Sequence, residues 1–105
     1  MNKAEAVTVE AITKAHNTKS DCILNLHMAV SRKAIAEAHL IEAKAQIVPE
    51  GKNADERKQY LANAVKEEVV EVQEAAEDLR AAETQLKLAQ NELNRLQMIL
   101  DWTTR

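Results

Sequence analysis

Glycine, proline and aromatic residues are almost absent from this chain of 105 residues, which has one Gly, one Pro, one Trp, one Tyr and no Phe. β-Sandwiches and barrels need many turns and many strand-forming residues, so this composition excludes them. The commonest residues are instead strong helix formers such as Ala, Glu, Leu, Lys and Gln. The sequence therefore predicts an all-α protein.

Nothing in the sequence predicts an internal disulfide, a secretory leader or a membrane span. A single cysteine, Cys22, cannot form an internal disulfide, which is typical of a reducing compartment. No apolar h-region follows Met1, and no run approaches the ~20 apolar residues of a membrane span. A net charge of −3 argues against a broad basic surface. We therefore expect a cytoplasmic, soluble protein with no membrane contact and no direct nucleic-acid binding.

Helix-breaking residues cluster at one place, from Val48 to Asn53. Pro49 lacks an N–H and disfavours helical geometry at the residue before it, and Gly51 can adopt a positive φ. Asn53 is a good N-cap, and Glu56 stands where a capping-box partner belongs. We predict helix 1 over about 3–48, a loop over 49–53 and helix 2 over about 54–102, all in one domain of residues 1–105.

Residues 17–21 of helix 1 (Asn-Thr-Lys-Ser-Asp) compete with the backbone for hydrogen bonds. Ser20 is able to cap a new helix there, but no Pro or Gly enforces a break. Two alternatives follow from the sequence: a helix that continues through this segment, straight or kinked, and a true interruption.

Helix 2 carries an apolar heptad repeat whose spacing alternates between three and four residues from Leu61 to Leu100. Several d positions hold alanine, which allows a close antiparallel partner whose larger side chains fill the gaps. This pattern predicts a long antiparallel helical hairpin. The a positions, which we expect to hold the hairpin seam together, are Val65, Val72, Leu79, Leu86, Leu93 and Leu100.

Helix 1 offers a complementary apolar face. Folding the chain at Gly51 places residue i opposite residue 102 − i, to within about one turn. Glu68 occupies a d position, so it either pairs with Lys33 or acts as a polar seam residue that enforces one register. The helix 1 residues that we expect to face helix 2 are Ile23, Val30, Ala34, Ile41 and Val48.

The apolar surface of helix 1 is wider than one partner helix can cover. Exposing each large apolar side chain costs on the order of 1.5–3 kcal/mol. The simplest cover is a second copy, which makes a homo-oligomer, preferably a dimer arranged as a four-helix bundle. A fold-back of residues 3–16 is the monomeric alternative. Our candidates for this second interface are Leu24, Met28, Ile35, Leu26 and Leu40.

Residues that could carry chemistry are few, and we expect no catalytic, cofactor-binding or metal site. His16 and His27 are expected near the seam and His39 away from it, without the spacing that metal-carboxylate bundles use. Cys22 is expected to be a packed or partly exposed structural residue. Tyr60 and Trp102 are expected to anchor the two ends of the hairpin.

Helix 2 also contains an acidic block. Such a block is most often a solvated face, but it can bind a basic protein partner or, less often, a hard cation. The residues that would form a partner-binding acidic face are Glu67, Glu71, Glu74, Glu77 and Asp78.

The segment Gly51-Lys52-Asn53-Ala54-Asp55-Glu56-Arg57-Lys58-Gln59-Tyr60-Leu61, with the Ala- and Glu-rich heptads after it, resembles small coiled-coil proteins of tailed phages and prophages. The resemblance covers residues 51–100 and brings no catalytic residues with it. It implies an accessory role, such as docking onto a phage or host protein.

Together these features predict a non-catalytic structural or protein-interaction module of phage or prophage type, which assembles through coiled-coil packing. The alternative is an accessory regulator that binds a recombination or DNA-processing protein through its acidic face. A helical metal-carboxylate enzyme is a third class.

Overall fold

Within residues 7–103, which the computed structural model describes, the chain forms three α-helices and no strand. Helix α1 spans Val9–Gln46, α2 spans Ala54–Ala64 and α3 spans Lys66–Thr103. The hairpin has two arms: α1 is the first, and α2 with α3 is the second. Residues near the start of α1 pack against residues near the end of α3, so the two arms are antiparallel. The prediction of an all-α helical hairpin is therefore confirmed.

The chain divides into two compact units, and each contains a segment of α1 with an antiparallel segment from the second half of the chain. Unit 1 consists of Met1–His27 and Ala81–Arg105, and unit 2 consists of Met28–Arg80. Unit 2 carries eleven acidic and eight basic residues. This imbalance equals the net charge of −3 of the whole chain, so the acidic excess lies entirely in unit 2.

Helix α1 begins at an N-cap that sequence inspection missed. The Thr8 Oγ1 atom accepts a hydrogen bond of 3.0 Å from the Ala11 backbone N–H, which satisfies one of the free donors of the first turn. The helix then continues without interruption through residues 17–21. Residues 9–16 belong to this helix, so they do not fold back over it, whereas residues 3–6 lie outside the described range.

The faces that α1 and the second half of the chain turn toward each other both follow a heptad. In the second half, the buried and half-buried residues include every position of the predicted seam, with Val65 and Leu93 buried. In α1 the inner face is a heptad of alternating large and small residues, and it includes two lysines. Its members within the helix are Ile12, Ala15, Lys19, Cys22, Leu26, Ala29, Lys33, Ala36, Leu40 and Ala43, and Ile47 continues it just after the helix ends.

The predicted inner face of α1 is therefore wrong. Ile41 is 69% exposed and Val48 is 81% exposed, and Ile23, Val30 and Ala34 are exposed as well. These residues form a second heptad stripe beside the inner face. The stripe that packs inward has a small residue at every second position, which lets the two helices approach closely.

The register of the hairpin also differs from the prediction. Ala15 packs with Leu93 in unit 1, and His39 Nδ1 lies 3.1 Å from Glu71 Oε1 in unit 2. The residue numbers of these pairs add to 108 and 110, whereas a fold centred on Gly51 requires 102. The difference is about two helical turns, which exceeds the predicted tolerance of one turn.

The connection between α1 and α2 explains this shift. Residues 47–51 adopt no regular structure, and Pro49 holds the chain away from helical geometry. Helix α1 thus stops at Gln46, while α2 starts only at Ala54. In the observed register Ile47 faces Leu61, and both are half-buried. The segment after Ile47 therefore lies beside the first turns of α2, which precede Leu61.

The start of α2 is capped largely as predicted. The Asn53 Oδ1 atom accepts a hydrogen bond of 2.9 Å from the Glu56 N–H, which confirms the N-cap. The Glu56 carboxylate accepts from the Lys52 N–H at 2.7 Å, one residue before the position that a capping box uses. Gly51 has a φ of 151° and its carbonyl accepts from the Arg57 guanidinium at 3.4 Å.

We expect Gly51→Ala to lower the free energy of unfolding by about 1–3 kcal/mol. An added Cβ would lie 2.7 Å from Glu56 Cβ and 2.8 Å from the Arg57 backbone nitrogen, in a backbone conformation that L-residues rarely adopt. Urea denaturation followed by circular dichroism measures the change, with Ala62→Gly as a control for ordinary loss of helix propensity. A Gly51→Ala protein as stable as the wild type would show that the loop rearranges freely.

The second arm is interrupted at Val65, between α2 and α3, where one continuous helix was predicted. Val65 has φ −108° and ψ 20°, yet its N–H still bonds to the Leu61 carbonyl and its carbonyl accepts from the Val69 N–H. Its side chain is only 1% exposed and is the largest fully buried one among the residues that the structure describes. No Pro or Gly stands nearby, and nothing in the local sequence explains the interruption.

Candidate interaction surfaces

The hairpin seam alternates large and small side chains on the two helices. Extending the Ala15–Leu93 contact by heptads places Cys22 opposite Leu86 and Leu26 opposite Ala82 in unit 1. The same register in unit 2 places Ala36 opposite Val72 and Lys33 opposite Ala75. In these four pairs a wide side chain meets a narrow one, which favours a close approach of the two helices.

Charged residues occupy three positions of this seam. Lys19, Lys33 and Glu68 are all half-buried, because their apolar stems cover the seam while their charged ends reach toward water. The Lys33 Nζ atom lies 3.7 Å from Glu37 Oε1 on the same helix. The structure therefore pairs Lys33 with Glu37, whereas the sequence predicted a pair between Lys33 and Glu68. Glu68 instead lines a shallow groove with His39 and Glu71.

The residues predicted for the second interface fall into two groups. Leu24 in unit 1 and Met28 and Ile35 in unit 2 are each more than half exposed. They occupy the heptad positions opposite the inner face, so α3 cannot cover them. Leu26 and Leu40 are half-buried members of the inner face and belong to the hairpin seam instead. For these two residues the prediction is corrected.

A second exposed surface lies beside the seam in unit 2, and we call it the lateral seam. It consists of α1 and loop residues at alternating spacings of four and three. On α3 it is bordered by Val69 and Ala76, which are half-buried. Each directly follows a d position and lies on the same side of the hairpin as the lateral seam. The members of the lateral seam are Val30, Ala34, Glu37, Ile41, Lys44 and Val48.

The acidic residues singled out from the sequence are all exposed on α3 in unit 2. Their heptad positions c, f and g place them on one side of the helix, away from the side that borders the lateral seam. Glu71 is the member that contacts α1, through its 3.1 Å hydrogen bond with His39. The exposed set is Glu67, Glu71, Glu74, Glu77 and Asp78.

A groove of about 380 Å³ runs between α1 and α3 in unit 1. Its floor is formed by Ala15 and Leu96, which belong to the buried core, and Val7 packs against the same cluster. On its rim Arg95 binds Glu92 with two hydrogen bonds of 2.7 and 2.9 Å, and these hold the pKa of Glu92 below its ordinary value. The groove is thus a feature of hairpin packing whose rim carries the Glu92–Arg95 ion pair and Lys14.

Side chains with ligand or nucleophile chemistry are dispersed. His16, His27 and His39 are all exposed, and it is His39, expected to face away, that contacts the second arm. Cys22 is half-buried in the inner face. Among residues 7–103, no group of three or more His, Cys, Asp or Glu side chains is placed to hold a metal ion.

The aromatic residues do not close the ends of the hairpin as expected, since Tyr60 is exposed and Trp102 is 78% exposed. In the described part of the chain, no helix combines the length and the apolar character needed to cross a bilayer. Comparison of the chain with protein-family models, with curated proteins and with solved structures gives no match.

Proposed function

We propose that this protein is a non-catalytic interaction module that associates with copies of itself through the outer surface of α1. The observation that supports the proposal is the exposure of Leu24, Met28 and Ile35, large apolar side chains that point away from the helix that α1 already packs against. An amphipathic helix with one partner needs only one apolar stripe. The additional stripe of α1 therefore suits a further helix.

Energetics favour covering this surface. Burial of a Leu, Ile or Met side chain contributes about 1.5–3 kcal/mol relative to leaving it in water. Leu24, Met28 and Ile35 are each at least half exposed, so most of this free energy is still available to an association. A second hairpin packed through α1 makes a four-helix bundle, the simplest closed assembly of this architecture.

We expect the purified protein to show a concentration-dependent mass in light scattering, and Leu24→Glu or Ile35→Glu to weaken the association at least about tenfold, since a buried charge costs more than ~1.4 kcal/mol. The matched control is Asn25→Glu, which adds the same charge at an exposed polar position next to Leu24. Circular dichroism checks that helicity survives. Normal association of both variants would exclude this surface.

A second candidate function is binding of a basic protein partner, such as a recombination or DNA-processing protein, through the acidic face of α3. The observation in its favour is that five exposed carboxylates share one side of unit 2, which carries the acidic excess of the chain. Such binding would weaken steeply with added salt, whereas apolar self-association would persist. Repeating the scattering and binding measurements at high salt separates the two functions.

The proposed phage or prophage origin is supported by the resemblance of residues 51–61 and the heptads after them. The structure gives that segment a physical role, because it contains the capped loop and the start of the second arm. An accessory, docking role fits a hairpin whose apolar surface exceeds its own needs.

A further inference from the structure

The lateral seam of unit 2 repeats the spacing of a coiled-coil seam, and residues 7–103 supply no helix that covers it. Its apolar members are exposed, and Ile41 retains 69% of its accessible surface. Its charged members are Glu37 and Lys44, which lie seven residues apart and carry opposite charges. A helix with a buried seam and a second, exposed seam is suited to contact two neighbours at once.

We propose that a second copy of this chain covers the lateral seam, with the two α1 helices antiparallel about a twofold axis near Ile41. This inference rests on the proposed self-association through α1 and adds a second contact, which lies beside the surface formed by Leu24, Met28 and Ile35. A twofold axis makes the contact self-complementary. Each pair of different residues across the interface forms twice, once on each side of the axis.

The charges of the seam determine the orientation. In a parallel pair, Glu37 would face Glu37 of the second copy and Lys44 would face Lys44, which places like charges together. In an antiparallel pair centred near Ile41, Glu37 faces Lys44 of the second copy, and the reverse pair forms on the other side of the axis. The Glu37 side chain lies beside Lys33 of the same helix but is half exposed. Its carboxylate therefore stays accessible to Lys44 of the second copy.

The apolar members fit the same arrangement. With the axis near Ile41, the two exposed Ile41 side chains meet at the centre of the contact. The acidic face of α3 lies on the other side of the hairpin, so the second copy approaches without opposing the excess of negative charge.

Charge exchange tests the pairing. We expect Glu37→Lys and Lys44→Glu alone each to raise the dissociation constant about tenfold, because two attractive contacts per dimer become repulsive. The double variant with both changes should regain the affinity of the wild type, since it restores two opposite-charge pairs. If the single variants associate as the wild type does, the lateral seam is not the interface.

Orientation is measured independently by electron paramagnetic resonance with a spin label at Ser31, introduced as cysteine in a Cys22→Ser background. Ser31 lies ten residues from the proposed axis, so the antiparallel pair separates the two labels by about 30 Å along the helices. A parallel pair would bring them to about 10 Å, the spacing of packed helices. The short distance would overturn the proposal.

Two further outcomes separate this inference from the proposed function. If Leu24→Glu and Ile35→Glu abolish association while the charge variants leave it unchanged, self-association through α1 stands and the lateral seam is wrong. If the wild type stays monomeric at every concentration in light scattering, no second copy covers the seam, and a helix of another protein becomes the occupant to seek.

Discussion

Leu93→Ala should lower the free energy of unfolding by about 2–5 kcal/mol, the largest loss that we expect from any single truncation in this protein. Leu93 is buried in the core of unit 1, where it packs with Ala15 and Leu96. Removing three carbon atoms from this site forfeits their burial and leaves a space that the small neighbour Ala15 cannot fill. A two-helix hairpin has few alternative contacts that compensate for such a loss.

Urea denaturation at a fixed protein concentration measures this loss, because self-association makes the apparent stability depend on concentration. The matched control is Leu88→Ala on the same helix, since Leu88 is exposed and the same atoms are removed there. We expect the control to change the free energy of unfolding by no more than about 0.5 kcal/mol. Equal losses for the two variants would contradict the assigned inner face of α3.

Ala36→Leu should destabilise the hairpin by about 1–3 kcal/mol or force the helices of unit 2 apart, although leucine is a good helix former. Ala36 is 1% exposed, and the register places it opposite Val72. Three additional carbon atoms at this position have no space while the helices keep their close approach. The penalty is therefore one of packing and not of helix propensity.

Ala38→Leu provides the control, because Ala38 lies two residues away on the exposed surface of the same helix. We expect it to leave stability within about 0.5 kcal/mol of the wild type. The comparison also tests the corrected face of α1. If Ala38→Leu were the damaging change and Ala36→Leu were harmless, the face first predicted for α1, which lies beside Ala38, would be the one that faces α3.

The parts of the fold that could be predicted depend on local chemistry or on a single periodic pattern. The Asn53 cap needs only its own side chain and the N–H of Glu56, three residues away, so sequence proximity suffices to identify it. The face of α3 could be predicted because only one uninterrupted heptad runs along that helix. Every position of that heptad from Leu61 to Leu100 is buried or half-buried.

The face of α1 could not be predicted in the same way, because that helix carries two heptad stripes. The stripe with Ile41 includes Glu37 and Lys44, and the observed inner stripe includes Lys19 and Lys33, so both stripes contain charged residues. What decides between them is the fit of small residues such as Ala29 and Ala36 against the wide side chains of the partner helix. That fit is a property of two surfaces together and is not visible in one of them.

The candidate interaction surfaces divide along the same line. Leu24, Met28 and Ile35 were found from the apolar width of α1 alone, and the structure leaves them exposed. Leu26 and Leu40 were predicted to belong to the same surface. They belong to the hairpin seam instead, because both lie on the inner face of α1. The lateral seam became visible as an open surface only when its residues proved not to face α3.

By itself, the sequence determined that this chain is helical, where its second arm begins and which side of that arm packs inward, because these features depend on local propensity, capping and one clear period. The tertiary structure decided which stripe of α1 is buried and shifted the register by about two turns. Both depend on how closely two helices approach and on an extended segment after Gln46, and these are settled only when the whole hairpin packs.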